Sequence, residues 1–286
     1  MMELKADFKI MTDHELHIKS VEYRIKLLKY IKMAGAGHTG GSLSCVDILN
    51  VLYNRIMNVS PESFSDPGRD RYIQSKGHSV EALYVVLTDR GFFPEEALET
   101  FYGYGSNYTG HPTRKVKGIE QNTGGLGHGL AFSVGVALAG KIDRATYRVF
   151  TLLGDGELAE GSNWESLMAA AHYHLDNLCI IIDRNNLQLT GHTEDMCELE
   201  PLAQKLEAFG GEVRTVDGHS LAALIETLDM LPFNTDKPSV VIAKTVKGKG
   251  ISFMENNAKW HHGVPDDREY EQAQQELRTK LAEIRS

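Results

Sequence analysis

GDGELAEGSNWESLMAAAHYHLDNLCIIIDRNNLQ, residues 154 to 188, is the stretch whose reading decides the fold. It follows the apolar run RVFTLL (148–153) and contains a second one, LCIIID (178–183). Both runs are short, continuous and rich in branched residues, as expected of buried strands. The segment between them, 161 to 175, has helical character. Strand, helix, strand over this length predicts a right-handed βαβ crossover and parallel pairing. Gly154 and Gly156 flank Asp155 where the first strand ends, so the backbone can turn tightly and approach a ligand. Asn185 comes just past the end of the second strand. If the strands are neighbours, Asp155 and Asn185 meet above the sheet, where ligands of parallel α/β folds bind. A carboxylate with an amide oxygen suits a hard cation such as Mg²⁺ or Ca²⁺ rather than zinc. Mg²⁺ completes its octahedron with phosphate oxygens and water. The Gly-Asp-Gly triplet alone would equally be an ordinary βα turn.

Working outward, further strands are expected at 71 to 74, 212 to 216 and 239 to 243. Helices are expected at 13 to 33, 44 to 57, 80 to 88 and 221 to 231, with a charged, one-face-solvated helix at 266 to 285. Residues 35 to 41 read as a glycine-rich break, and Ser44 stands where a cap for the next helix would be. Residues 60 to 69 read as a loop. GGLGHGLAFSVGVALAG (124–140) is too short and glycine-rich to span a membrane and reads as a buried helix. The expected class is α/β, with a mostly parallel central sheet and helices on both faces. Residues 1 to 286 are read as one domain, with an N-terminal helical segment and a C-terminal helical tail.

The bulk properties exclude several classes. The chain has 286 residues, 42% hydrophobic and 24% charged, as in ordinary soluble domains. Its net charge of −9, from 30 basic and 39 acidic residues, argues against nucleic acid and membrane surfaces as partners. The N-terminal MMELKADFKIMTDHELHIKS lacks the apolar core of a signal peptide. Three cysteines, Cys45, Cys179 and Cys197, form no CxxC and read as buried, inert thiols in a reducing compartment. A cytoplasmic location is expected.

The run 154 to 188 resembles the thiamine diphosphate signature, which opens on Gly-Asp-Gly and closes on an Asn pair. Glu160, Gly161, Trp164, Glu165 and Asp183-x-Asn185 match its transketolase form. GHTGGSLS (37–44), DRYIQSKGH (70–78), GHP (110–112), TGGLGHG (123–129), KTVKGKG (244–250) and WHHG (260–263) resemble further transketolase motifs. Thr39 stands where that family usually has Pro, and His128 where it has Gln. The resemblance implies a thiamine-diphosphate-binding fold. It implies that Asp155, Asn185 and the Leu187 carbonyl bind the metal (Mg²⁺, with Ca²⁺ or Mn²⁺ as substitutes). His78, Gly124, Gly125, Leu126, Gly127, Gly156, Asn185, Lys247 and His261 would hold the cofactor. His38, His111 and Lys76 would meet the substrate, and His38, His78, His111, His261 and Glu160 would take part in catalysis. Imidazoles titrating near neutrality suit proton shuttling. Counting from Lys247 and Trp260 favours His261 over His262 as the site histidine. Glu160 would join a carboxylate cluster across a dimer, or simply favour the helix dipole as an N-terminal acid. His14, His17, His172 and His174 are given no role.

Transketolases are more than twice this length and continue into a pyrimidine-binding and a C-terminal domain, whose motifs are not found in this sequence. The resemblance therefore implies the N-terminal subunit of a split transketolase, moving two-carbon ketol units between sugars with a separate C-terminal subunit, in an α2β2 assembly. Both a common sugar phosphate and a modified or sulfonated sugar fit as substrate. Alternatives are a 1-deoxyxylulose-phosphate synthase-like subunit, a non-catalytic binding module and a dinucleotide reductase. TGGLGHG follows no clear strand, which weakens the last.

Overall fold

In LCIIIDR alternate side chains face opposite ways, and all seven residues are buried. Leu178, Ile180 and Ile182 join one apolar cluster; Cys179 and Ile181 join the other. A strand apolar on both faces must be covered on both, the condition met by parallel sheets between helical layers. The computed structural model, which describes residues 11 to 286, has that arrangement.

In chain order the strands are β1 (Arg71–Gln74), β2 (Val149–Gly154), β3 (Leu178–Arg184), β4 (Leu187–Gln188), β5 (Gly191–His192), β6 (Glu212–Asp217) and β7 (Ser239–Lys244). The main sheet runs β1-β2-β3-β7-β6, and every neighbouring pair is parallel. β4 and β5 form a small antiparallel ribbon beyond β3. The helices are α1 (Asp13–Ala34), α2 (Thr39–Val51), α3 (Val80–Asp89), α4 (His128–Ile142), α5 (Gly161–His172), α6 (Thr193–Met196), α7 (Leu202–Ala208), α8 (Leu221–Asp229) and α9 (Asp267–Arg285). Leu28 of α1, Leu49 of α2, Val85 of α3, Leu224 of α8 and Leu277 of α9 pack on the Phe150 and Leu152 face. Leu130 and Val134 of α4, Leu167 of α5 and Leu206 of α7 pack on the Leu153 face. Capping boxes start α1 (Thr12 with Glu15) and α9 (Asp266 with Glu269). α9 buries only Ala273, Gln274 and Leu277 and is otherwise open to solvent.

Four expectations need correction. First, α2 begins at Thr39, not at Ser44. Gly40 and Gly41 do not break the chain; they let the first turn of α2 lie against other elements. A Cβ on Gly40 would stand 2.9 Å from the Trp260 carbonyl oxygen. Second, Ser44 is no cap: its hydroxyl donates to Asp183 at 2.6 Å. Third, α4 is not buried all round. Gly129, Leu130, Ser133, Val134, Ala137 and Gly140 face inward, while Ile142 is 72% exposed and Phe132 37%. Fourth, Cys45 and Cys179 are buried but Cys197 is exposed. The first ten residues of the stretch read for a signal peptide lie outside those described.

Candidate active site

β2 and β3 pair so that Gly154 stands opposite Asp183. The next residues of each strand therefore emerge side by side at the carboxyl edge. Asp155 is nearly fully buried. Its Oδ1 accepts from the Gly156 N–H at 2.8 Å. Its Oδ2 accepts from the Asn186 N–H at 2.6 Å and from the Arg184 guanidinium at 3.1 Å. Burial and then the Asp183 charge push the Asp155 carboxyl up, against the opposing pull of Arg184 and the two amides. Asn185 Oδ1 accepts from the Leu187 N–H at 3.1 Å. The Leu187 carbonyl accepts from the Lys247 ammonium at 2.9 Å.

Asp155, Asn185, Leu187 and Lys247 line one cleft of about 350 Å³, with His38, Gly41, Lys76, His78, Gly124, Leu126, Gly156, Glu157 and His261. Lys76 lies on its floor, almost fully buried. Its ammonium pairs with Asp183 and donates to the Gly41 carbonyl. Burial alone would lower the lysine, but the Asp183 charge outweighs it and raises it. For Asp183 the burial cost is likewise outweighed by Lys76, and the carboxyl is lowered. Lys247 instead donates to a carbonyl and an imidazole. Burial and the neighbouring Lys76 push it down to about 8.

The histidines gather at one side of this cleft, delivered by the start of α2, the turn before α3, the loop after α3 and the turn before α9. The His38 ring lies 5.3 Å from His78, 5.9 Å from His111, 5.9 Å from His261 and 4.6 Å from His262. His78 stacks on His261 at 5.4 Å. His261 faces the cleft and accepts from Lys247 at 2.7 Å through Nδ1; His262 is exposed. Burial, then the neighbouring His262 and His111 rings, lowers His38 to about 4; burial, then Lys247, lowers His261 to about 3. Burial and Lys76 hold His78 well below its usual value, and burial lowers His111. At neutral pH these imidazoles are uncharged and can accept protons or hydrogen bonds. His38 Nδ1 is buried and has no hydrogen-bond partner among the described residues, so it is free to bond a ligand.

Thr39 earns its departure from Pro. Its hydroxyl donates to the Gly263 carbonyl at 2.6 Å, tying the His261 segment to α2. His128 opens α4 and is exposed. Gly124 and Leu126 line the cleft, Gly125 has open space around it, and Gly127 has φ +83° against Glu160. Glu160 is exposed at the start of α5. Among the described residues His17 and His174 bond to backbone carbonyls, of Asp13 and Asp236.

Sequence reading passed over two buried carboxylates here. Glu157 accepts from the Ser75 hydroxyl, from the Gly127 N–H at 2.9 Å and from the Gly154 N–H at 3.1 Å. It thus joins the glycine loop to the turn that carries Asp155. Glu81 accepts from the His38 N–H at 3.0 Å and the Ser42 hydroxyl at 2.7 Å. Glu157 sits two residues past Asp155 in a glycine turn, a weak signal; Glu81 lies in an apolar helix and gave none.

A carboxylate, an amide oxygen and a backbone carbonyl are donors that would suit a hard cation. Among the described residues no three His, Cys, Asp or Glu side chains converge on one point. A cation held by Asp155, Asn185 and a carbonyl must take its remaining ligands from elsewhere, as Mg²⁺ does from phosphates. The transketolase thiamine diphosphate binding domain model matches residues 17 to 283. The chain belongs to the transketolase family. It is 45% identical over 269 residues to one of the subunits of apulose-4-phosphate transketolase from Phocaeicola vulgatus, covering 94% of this chain and 96% of that one. It is 39% identical to a 6-deoxy-6-sulfo-D-fructose transketolase subunit of a Clostridium species, covering 82% and 86%. The transketolase structure from Campylobacter jejuni superposes with TM-score 0.86 at 27% identity, over 96% of this chain and 46% of that one. This transketolase-family chain thus matches separate subunits over most of their length and spans about half of the Campylobacter enzyme. It is the N-terminal, thiamine-diphosphate-binding part of a ketol transferase.

Proposed function

We propose that this chain, acting with a separate C-terminal subunit, transfers two-carbon ketol units from a ketose bearing a terminal anion to an aldose. The observation that carries this reading is the convergence of Asp155, Asn185, Leu187 and three histidines, His38, His78 and His261, on one cleft, with the His111 ring 5.9 Å from His38. Asp155, Asn185 and the Leu187 carbonyl would hold Mg²⁺, or Ca²⁺ or Mn²⁺ in its place. Gly156, Lys247 and the loop 124 to 127 would hold the diphosphate side of the cofactor. Thiamine diphosphate, when bound, supplies the carbanion-stabilising centre. His78 and His261, uncharged, orient it; His38, and His111 beside it, accept from sugar hydroxyls and carry protons. Lys76, held by Asp183, adds positive potential from the floor.

Two relatives are named for different sugars, one a phosphate and one a sulfonate. A ketose with a terminal phosphate or sulfonate is the substrate class both names share. The partner would bring the pyrimidine-binding and C-terminal domains in an α2β2 assembly, with Glu160 at the junction of two sites. The exposed apolar side of α4 and Leu189 at the cleft, 64% exposed, supports a covered face there. A cytoplasmic location fits free thiols at Cys45, Cys179 and Cys197. Among the described residues no helix is long and apolar enough to cross a membrane.

The test is reconstitution. The isolated chain should not transfer glycolaldehyde units, and adding the partner should restore turnover; full activity of the chain alone would overturn the split-enzyme reading. In the complex, Asp155→Ala should abolish metal-dependent thiamine diphosphate binding by calorimetry. Unchanged affinity would remove Asp155 from the metal site.

A further inference from the structure

His219 lies outside the cleft, in the Asp-Gly-His turn that ends β6. We propose that His219 is a positioning residue for Lys247, acting as the acceptor that fixes the backbone of the 245–249 turn; this rests on the placement of Lys247 in the cofactor site.

The geometry runs from the core outward. Arg24 of α1 forms a two-pronged pair with Asp47 of α2, at 2.9 and 2.7 Å, and both are buried. Asp47 Oδ2 lies 2.7 Å from His219 Nδ1. The other ring nitrogen, Nε2, lies 2.8 Å from the Val246 backbone nitrogen. A backbone N–H can only donate, so Nε2 carries no proton and the Nδ1–H donates to Asp47. The tautomer follows from the two partners together. Asp47 is held ionised: burial would raise it, but Arg24 and then His219 outweigh that and lower it. The same Arg24 reaches the far end of the turn, donating from Nε to the Lys249 carbonyl at 3.0 Å. One buried network therefore grips the turn at Val246 through its N–H and at Lys249 through its carbonyl.

Between these grips stands Lys247. Its ammonium spans to the Leu187 carbonyl and to His261. Thr245, two residues before it, is tied to Asp183 through its hydroxyl and to the Arg184 carbonyl through its N–H at 3.1 Å. Gly248, just after, turns at φ +81° and donates to the Gly40 carbonyl at 3.0 Å. Between Thr245 and the lysine, the Val246 N–H is a further tether, to the His219 ring. An imidazole suits this work because it offers a donor and an acceptor at opposite ends of one rigid ring. An ammonium on a four-carbon stem has many rotamers, so the direction in which its backbone leaves the turn decides which oxygen it meets.

The experiment uses the complex of this chain with its partner and measures thiamine diphosphate affinity by calorimetry at saturating Mg²⁺. His219→Asn keeps a donor for Asp47 but cannot reach Val246; His219→Gln reaches Val246 with an acceptor. His219→Asn should weaken affinity about tenfold, the scale seen for outer partners of a ligand set, and His219→Gln should recover most of it. In a Lys247→Met background, itself weaker than wild type, His219→Asn should add less than about a twofold loss, because the residue it positions is gone. An equal loss from His219→Asn in both backgrounds, or Asn binding as well as Gln, overturns the positioning role while leaving Lys247 in the site. If Lys247→Met binds as tightly as wild type, the placement of Lys247 itself falls, and this role with it. Hydrogen exchange at Val246 gives the readout independent of cofactor: it should rise in the Asn variant and stay slow in the Gln variant, and slow exchange in both overturns the proposal.

Discussion

The Arg184 guanidinium donates to Asp155 Oδ2 at 3.1 Å, and through its other nitrogen reaches Glu194 and, at 3.0 Å, Glu200. One side chain thus joins the Asp155 carboxylate to the segment that follows β5. Arg184→Met would leave Asp155 buried and without its cation. Breaking a buried pair in this way costs about 3 kcal/mol, and the 194–200 segment loses its anchor. Urea denaturation should give that loss, and limited proteolysis should cut first near residues 194 to 200. Wild-type stability in the variant would mean that the amides of Gly156 and Asn186 suffice for Asp155.

Glu157 serves three donors at once. Glu157→Ala leaves the Ser75 hydroxyl and the Gly127 and Gly154 N–H groups facing a cavity. Each orphaned buried donor costs roughly 1–3 kcal/mol, partly relieved by water entering. Burial has already pushed this carboxyl up, so the charge removed was itself unfavourable. The net expectation is a loss of about 2–3 kcal/mol in chemical denaturation, with faster amide exchange at Gly127. Unchanged exchange there would show that the glycine loop holds its shape without Glu157.

How far the sequence reaches is clear from such residues. The strands were legible because RVFTLL and LCIIID are unbroken apolar runs ended by Gly or Asp, and a parallel sheet buried on both faces demands that pattern. Asp155 and Asn185 were legible because each closely follows such a run. The start of α2 was misread because glycine looks the same whether it breaks a helix or lets one lie close to Trp260. The outer face of α4 was misread because an apolar helix gives one pattern for a core and for an unpaired surface. Glu157, Glu81 and His219 were passed over because tertiary partners far along the chain define their roles. For His219, placement just past the carboxyl end of β6 was a usable signal.

Glu81 makes a pH dependence that can be isolated. Burial raises its carboxyl to about 7, partly offset by the Ser42 hydroxyl and the His38 N–H. The folded state thus holds this proton more tightly than the unfolded chain, whose carboxyl titrates near the ordinary 4.5. Stability from this group is complete below the unfolded value and is lost as pH rises through the folded one. At 1.36 kcal/mol per unit the loss between pH 5 and pH 8 is up to about 3 kcal/mol. Glu81→Gln has no such proton, so its denaturation midpoint should fall less than that of the wild type over this range. Parallel pH profiles for the two proteins would show that Glu81 titrates normally.

Gly77 and Gly125 separate two effects that a cleft mutation usually mixes. A Cβ on Gly77 would stand 2.7 Å from Thr123 Oγ1 and 2.8 Å from the Gly124 nitrogen, so backbone must move. That push falls on the segment whose Thr123 hydroxyl is anchored to the Gln74 carbonyl at 2.7 Å. Overpacking of this kind costs about 1–3 kcal/mol, and it displaces Gly124 from the cleft wall. Gly77→Ala should therefore lower stability and thiamine diphosphate affinity together. Among the described residues beyond its chain neighbours, a Cβ on Gly125 meets nothing within 4 Å, and its φ is not in the left-handed region. Gly125→Ala should leave denaturation unchanged within about 0.5 kcal/mol. If the loop lies against the cofactor, as proposed, affinity should still fall, because the added methyl occupies the space the cofactor needs. Unaltered affinity in Gly125→Ala alongside a loss in Gly77→Ala would leave the loop a structural support for His78 and His111 and remove it from the cofactor's contact surface.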